Sequence, residues 1–285
     1  MNYIFDIKNL KCAYQTDKVV LDVKQLQIPF GKIVFVVGES GIGKSTILET
    51  LGLMNNTIIS EPDTLLNYRA TPVSEDVNIL DLWGEKGDKR LSRFRLNNFS
   101  FIFQQTNLMR NFTAYENIAI TRMLQGKSRG ESITRTKEAL TALGLSQIDH
   151  KREVFELSGG QQQRLAFARA IVPDFSVLFG DEPTGNLDPV TAEKVMTILK
   201  NQLKDEKSNH RDATAIIVSH SIDLAIEFGD LIVKIHSVPR ENNPDRYYGV
   251  IDEKSIYDKR DGVWFSHAGK HSDNELQLVL KYNGK

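Results

Sequence analysis

The sequence predicts an α/β protein with a mainly parallel sheet, an N-terminal antiparallel β subdomain and an inserted α-helical subdomain. Three observations predict it. Short apolar runs rich in β-branched residues recur at Ile33–Val37, Val177–Gly180, Ala215–Val218 and Leu231–Val233, with helical stretches among them. Before the first of these runs the chain alternates in short strand-like segments. From about Asn107 to Val172 it turns mostly helical, unlike its surroundings.

Taken in order, Tyr3, Phe5 and Ile7 alternate with polar residues as a half-buried strand does. Val19-Val20-Leu21 and Leu26-Gln27-Ile28 read as two further short strands. Pro29-Phe30-Gly31-Lys32 is a turn signal leading into Ile33–Val37. From Asn55 to about Asn98 the pattern weakens into an elaborated surface segment. Within it, Ile79–Trp83 reads as a short strand or a turn, Trp83 as a packing anchor, and Lys89–Leu96 as a basic helix. Phe99–Phe103 is a strand ending in Gln104-Gln105. Thr113 and Glu116 form a capping box for a helix running to about Gln125. A second helix spans about Glu131–Leu143 and ends at Gly144. Asp188-Pro189 opens a helix with its stripe on Val195, Ile198, Leu199 and Leu203. In the tail, Tyr248–Ile251 reads as a strand. Leu276, Leu278, Leu280 and Tyr282 alternate as in another half-buried strand. The expected division is one domain over 1–254, with the helical part at about 107–172, followed by a β-like appendage over 255–285.

Bulk properties narrow the function. The 285 residues carry 36 basic and 37 acidic side chains, a net charge of −1, which argues against a general nucleic-acid binder. The single cysteine, Cys12, permits no intrachain disulfide and fits a reducing, cytoplasmic setting. The opening residues lack an apolar core of signal-peptide length. No segment approaches the roughly 20 apolar residues that span a bilayer, so any membrane role is expected to pass through a partner.

The chemistry begins at Gly38-Glu39-Ser40-Gly41-Ile42-Gly43-Lys44-Ser45-Thr46, which fits G-x-x-x-x-G-K-[ST] between a strand and a helix. Glycines let the backbone N–H groups wrap a polyphosphate, and the helix N-terminus adds a favourable dipole. Lys44 is placed to reach the β- and γ-phosphates and Ser45 to ligate Mg²⁺. This makes the parallel sheet a P-loop nucleoside-triphosphatase core. Asp181-Glu182 at a strand end supplies one carboxylate near Mg²⁺ and one to orient water, although adjacent acids are elsewhere often a solvated turn. Leu157-Ser158-Gly159-Gly160-Gln161 is a capped helix start, or a second anion site built from the Ser158 hydroxyl and the N–H groups of Gly159 and Gly160.

With these residues in hand the chain resembles the nucleotide-binding subunit of an ATP-binding-cassette transporter, over about Phe5 to Lys254. Tyr14, the P-loop, Gln104, Leu157–Gln161, Asp181-Glu182, Asn186-Leu187-Asp188 and His220 match in chain order. Within the family, the segments Phe103–Leu108 and Asp181–Asp188 look most like the branch serving lipoprotein release, macrolide export and the cell-division complex. The resemblance implies an ATPase. Tyr14 stacks on adenine, or is a surface tyrosine; Ser45 and Gln104 ligate Mg²⁺, with Asp181 acting through water. Glu182 polarises the attacking water, and His220 contacts the γ-phosphate. It further implies that Ser158 and Gly160 bind ATP held by a second copy of the chain, or by a homologous subunit, in a head-to-tail dimer with Asp188 at the interface. A separate transmembrane permease is the implied partner, placing the subunit on the cytoplasmic face of the membrane. Met109, Phe112 and Tyr115 are candidates for the groove receiving it, and are equally accounted for by core packing. Two other readings stand beside this one: a soluble non-transport ATPase of the same family, and a nucleotide-gated scaffold. Gly180, the bulky Ile42, the long segment before Gln104 and the tail depart from the family pattern.

Overall fold

The computed structural model describes residues 3–15, 18–83, 89–148, 152–204, 212–240 and 243–281. In chain order it runs β1 (Tyr3–Ala13), β2 (Val19–Pro29), β3 (Ile33–Val37), α1 (Lys44–Leu51), β4 (Ile58–Ile59), β5 (Leu65–Tyr68), β6 (Val77–Asn78) and α2 (Lys89–Asn98). Next come β7 (Phe99–Ile102), α3 (Ala114–Leu124), α4 (Arg129–Ala142), α5 (Gly159–Ile171), β8 (Val177–Asp181) and α6 (Pro189–Lys204). The chain closes with β9 (Thr214–Val218), α7 (Ile222–Phe228), β10 (Leu231–Lys234), β11 (His236–Arg240), β12 (Asn243–Ile251), β13 (Ile256–Arg260), β14 (Val263–Ser266), β15 (Gly269–His271) and α8 (Asp273–Lys281). Two compact units result: residues 1–92 with 214–285, and residues 93–213. The second is wider than the helical stretch the sequence suggests, because it takes in β7, β8 and α6.

The first unit holds two sheets. One is ordered β11-β12-β2-β1-β5-β6, with β4 also on β1. It is largely antiparallel, with β12 alongside β2 the parallel exception. The other pairs β9, β3 and β10 in parallel and continues antiparallel into β13, β14 and β15. Every residue of β3, β9 and β10 is buried, which is why Ile33–Val37, Ala215–Val218 and Leu231–Val233 within them read as unbroken apolar runs. In β1, Phe5, Ile7, Leu10 and Cys12 point inward. Asp230 fastens one end of β3 by accepting from the Ile33 amide at 3.0 Å.

Several local expectations change. Val19–Pro29 is one continuous strand; the buried Asp22, paired with Lys24 at 2.7 Å, interrupts the apolar pattern without interrupting the backbone. The segment after α1 is more built than a surface loop, since Leu66 and Tyr68 on β5 are buried. Ile79–Leu82 is a short 3₁₀ helix capped by Asn78. The tail's alternation is a helix: Leu276 and Leu280, four residues apart, are buried, while Leu278 is 57% exposed. Tyr282 lies outside the described residues.

In the second unit β7 and β8 pair in parallel, with Phe99 and Phe101 packed on Phe179 at ring separations of 5.2 and 5.4 Å. The helices α3, α4 and α5 pack together. The buried Arg122 of α3 pins them by bonding the Val172 carbonyl at 3.1 Å, Asp174 at 3.2 Å and Glu131.

Candidate functional site

The sequence-predicted site residues fall in both units. Tyr14, Gly38–Thr46 and His220 belong to the first; Gln104, Ser158–Gln161, Asp181, Glu182 and Asp188 belong to the second.

In the first unit the loop from Gly38 leaves the end of β3 and enters α1. Gly41 (φ 76°) and Gly43 (φ 106°) take backbone conformations that L side chains rarely adopt. A Cβ on Gly43 would stand 3.3 Å from that of Leu21. The Lys44 ammonium is buried and donates to the carbonyls of Gly38 and Glu39 at 3.0 and 2.7 Å. Ile42 is buried, with its Cγ2 3.1 Å from where a Gly38 Cβ would sit, so its bulk packs the inside of the turn. Ser40 and Gly41 are exposed, Ser45 is half-buried and Thr46 is buried. Beside this loop, β9 pairs with β3 as far as Val218 opposite Val36, and its chain continues to Ser219 and the exposed His220. His220 and the loop thus leave neighbouring parallel strands at the same end. They line a common cavity of about 230 Å³. Tyr14 is 55% exposed; its hydroxyl donates to Glu49 at 3.0 Å and lies 3.3 Å from the Thr46 hydroxyl, tying the ring to α1. Burial pushes the Tyr14 phenol up, with Glu49 reinforcing and Thr46 opposing, so the ring stays neutral.

In the second unit the parallel register of Ile102 with Gly180 brings Gln104 and Asp181-Glu182 to one sheet end. The Gln104 carboxamide donates to Glu182 Oε2 at 3.2 Å. Glu182 has φ 49°, a conformation disfavoured for a side chain this long and of the kind that clusters at functional sites. Asp188 caps α6 by accepting from the Thr191 amide at 3.0 Å, and the hydrogen bonds from Thr191 hold its carboxyl below the usual range. The start of α5 forms the full capping box: Ser158 Oγ accepts from the Gln161 amide at 3.3 Å, and the Gln161 side chain accepts from the Ser158 amide at 2.9 Å. Among the described residues, nothing beyond their own chain neighbours and helix backbone comes within 4 Å of a Cβ added at Gly159 or Gly160. Met109, Phe112 and Tyr115 are half-buried; Asn117 holds the Met109–Phe112 turn, accepting from the Met109 amide at 2.8 Å and donating to the Met109 carbonyl at 3.0 Å.

Three supports were missed in the sequence. Helix α5 is a spoke of the second unit: Gln163 donates to the Pro183 carbonyl at 3.0 Å, just after Glu182. Arg169 donates to the Asn107 and Thr106 carbonyls at 2.7 and 2.8 Å, just after Gln104. Gly249 on β12 passes under the loop of the first unit, where a Cβ would come within 2.2 Å of the Ile42 carbonyl. Their spacing carries no signal; only the Q-R pattern on an amphipathic helix hinted that polar residues were turned inward.

The oxygen donors Ser45, Gln104 and Asp181 suit a hard cation such as Mg²⁺. Among the described residues no three His, Cys, Asp or Glu groups converge on a metal site. A cation held largely by substrate phosphates needs no such cluster.

The family model described as ABC transporter matches residues 21–185. The chain is similar to the lipoprotein-releasing system ATP-binding protein LolD 2 of Rhodopseudomonas palustris, at 35% identity over 78% of this chain and 88% of that protein. It is 36% identical to the macrolide export ATP-binding/permease protein MacB of Salmonella choleraesuis over 86% of this chain, which spans only 35% of that longer protein. Among solved structures it resembles the dimeric bacterial ABC transporter cassette MJ0796, with TM-score 0.64, 31% identity and 81% and 93% of the two chains covered. The same cassette in a dimeric post-hydrolysis state bound to ADP and Pi matches with TM-score 0.64 and 27% identity, over 86% of this chain and 98% of that one.

Proposed function

The chain belongs to the ABC transporter family, and from that membership we propose that it is an ATP-hydrolysing subunit that dimerises head-to-tail around ATP and drives a separate membrane permease. Residues 1–254 are the ATPase cassette in this reading, the helical part at about 107–172 takes the permease contact through Met109, Phe112 and Tyr115, and 255–285 is an appendage. Among the described residues no helix is long and apolar enough to cross a membrane, which fits a subunit that works at the cytoplasmic face through its partner.

The observation that carries the dimer is the open start of α5. Among the described residues, nothing beyond their own neighbours and helix backbone would meet a Cβ at Gly159 or Gly160, so packing within the chain does not account for glycine there. Their bareness fits close approach by a phosphate from outside the chain, on amides at a helix N-terminus.

Each side chain then has a task. The loop amides and Lys44 hold the phosphates, while Tyr14 offers its exposed ring to adenine. Glu182, steered by Gln104, orients a water whose oxygen attacks the γ-phosphorus in line. The bond from that phosphorus to the β–γ bridging oxygen breaks, and ADP leaves with inorganic phosphate. His220 contacts the γ-phosphate from its place beside the loop. Ser158 and Gly160 bind the same γ-phosphate across the dimer, with Asp188 at the interface. Ser45 and Gln104, with Asp181 acting through water, would hold Mg²⁺, which would supply neutralisation of the phosphate charge when bound.

The test is Glu182→Gln. Hydrolysis should fall about a thousandfold, as expected on removing a positioned base. A dimer dependent on ATP should accumulate on gel filtration. Normal turnover in this variant would sink the assignment.

A further inference from the structure

Residues 256–281 lie outside the nucleotide machinery, yet they are fastened to it. β13 extends the β3 sheet by pairing with β10, and α8 folds back against α7, the helix following His220. Two lysines hold this tail. Lys259 donates to the Ile226 carbonyl of α7 at 2.9 Å and lies 5.0 Å from the centroid of the fully buried Trp264. Lys234, 5% exposed, donates to the Val279 carbonyl in the last turn of α8 at 2.8 Å.

Lys234 is the informative one. It stands opposite Val37 in the β10–β3 register, and the next amide, Ile235, donates to the Val37 carbonyl at 2.9 Å. Lys234 is therefore rooted at the exit of the strand that becomes the phosphate loop. Burial lowers its proton affinity, and the carboxylate of Glu39, second residue of that loop, acts against the loss. Leu280 and Lys281 at the end of α8 line the same cavity as Gly38, Glu39 and His220. A buried ammonium is a costly way to pin a helix, because an apolar side chain of similar volume does so without desolvating a charge. A position on the last carbonyls of a helix, from the strand beside the loop's entry, gives the charge something to do.

We propose that Lys234 is a positioning residue for nucleotide binding: its ammonium, donating to the Val279 carbonyl, fixes the end of α8 beside the exit of β3 and so sets the entry of the phosphate loop, making α8 an accessory of the ATP site. The proposal rests on the ATPase reading. It is tested on the full chain by titration with ATP and Mg²⁺, alongside steady-state hydrolysis and thermal melts. Lys234→Met should weaken ATP binding and raise KM about tenfold, the scale of one lost charge-assisted hydrogen bond, with kcat within about twofold. Lys234→Arg should bind as the wild type does. Gln277→Ala keeps Lys234 and removes the hydrogen bond from α8 to Asp223. It should weaken binding about threefold, less than Lys234→Met because the ammonium itself stays in place. A folded Lys234→Met variant that melts earlier but binds ATP normally would overturn the proposal and leave Lys234 a structural pin. Should Lys234→Met not fold, unchanged affinity in Gln277→Ala overturns it instead. A wild-type chain that binds no ATP would defeat the ATPase reading itself, a separate outcome.

Discussion

The glycine-containing helix starts at α1 and α5 differ in who requires the glycine. In the loop before α1 the fold itself requires it: Gly41 and Gly43 have positive φ, Gly43 faces Leu21, and β12 must carry Gly249 so that the Ile42 carbonyl has room. In the loop before α5 nothing in the chain requires it. Gly159 and Gly160 are helical, and the place a Cβ would take on each is open among the described residues. A self-contained phosphate cradle is recognisable in one copy of the chain. A half-site is recognisable by residues that are unfavourable locally and idle until something else arrives.

The sharpest way to break this contrast is Gly43→Ala. The new Cβ meets Leu21 in a backbone conformation costing a side chain some 1–3 kcal/mol. Binding of ATP to the monomer should weaken about a hundredfold as the loop shifts to relieve the strain. The measurement is a titration under conditions where the chain does not dimerise. Wild-type affinity would mean that the loop tolerates what its geometry forbids.

Gly160→Ala is the matching change on the other loop, and its expected effects are opposite in kind. Thermal stability should rise slightly, because alanine is better than glycine in a helix by about 1 kcal/mol. Monomer affinity for ATP should stay within about twofold, while hydrolysis falls about fiftyfold as the amides lose close approach to phosphate. Loss of monomer affinity comparable to that of Gly43→Ala would erase the distinction between cradle and half-site.

The same difference explains what was legible in the sequence. Local devices were readable: the strand-loop-helix around Gly38–Thr46, and the capping boxes at Thr113 and Ser158, form as their spacing requires. Long-range packing was not. Lys234 looks like a strand-end lysine until α8 lies over it, and Gly249 like a turn glycine until the loop lies above it. The misread tail is more instructive, because the sequence held a second signal. Leu276, Leu278 and Leu280 fit period two, but Leu276 and Leu280 alone fit a helix. Ser272 and Glu275 form a reciprocal capping pair, with Ser272 N to Glu275 Oε2 at 2.7 Å and Glu275 N to Ser272 Oγ at 3.3 Å. Helical capping outweighs three alternating leucines, since it satisfies backbone donors that a strand here would leave open. At Val19–Pro29 the outcome is the opposite: two short strand readings join into one strand, in which the buried Asp22 pairs with Lys24.

The smallest effect separates two jobs of one hydroxyl. Ser158 Oγ caps α5 and, in the proposed dimer, faces the partner-held γ-phosphate. Ser158→Ala removes both functions, costing about 1 kcal/mol of stability in the second unit. Because α5 also holds the Pro183 and Thr106–Asn107 carbonyls, a fall in hydrolysis in this variant has two explanations. Ser158→Asp separates them. Aspartate caps a helix as well as serine, so the melting temperature should return to the wild-type value within about 2 °C. Its carboxylate would stand against phosphate in the dimer, and repulsion between like charges should hold hydrolysis about tenfold below wild type. Raising ionic strength should recover part of that loss by screening. If Ser158→Asp melts and hydrolyses like the wild type, the hydroxyl is a cap alone. The start of α5 would then be an ordinary helix terminus, and the bareness of Gly159 and Gly160 would need another cause.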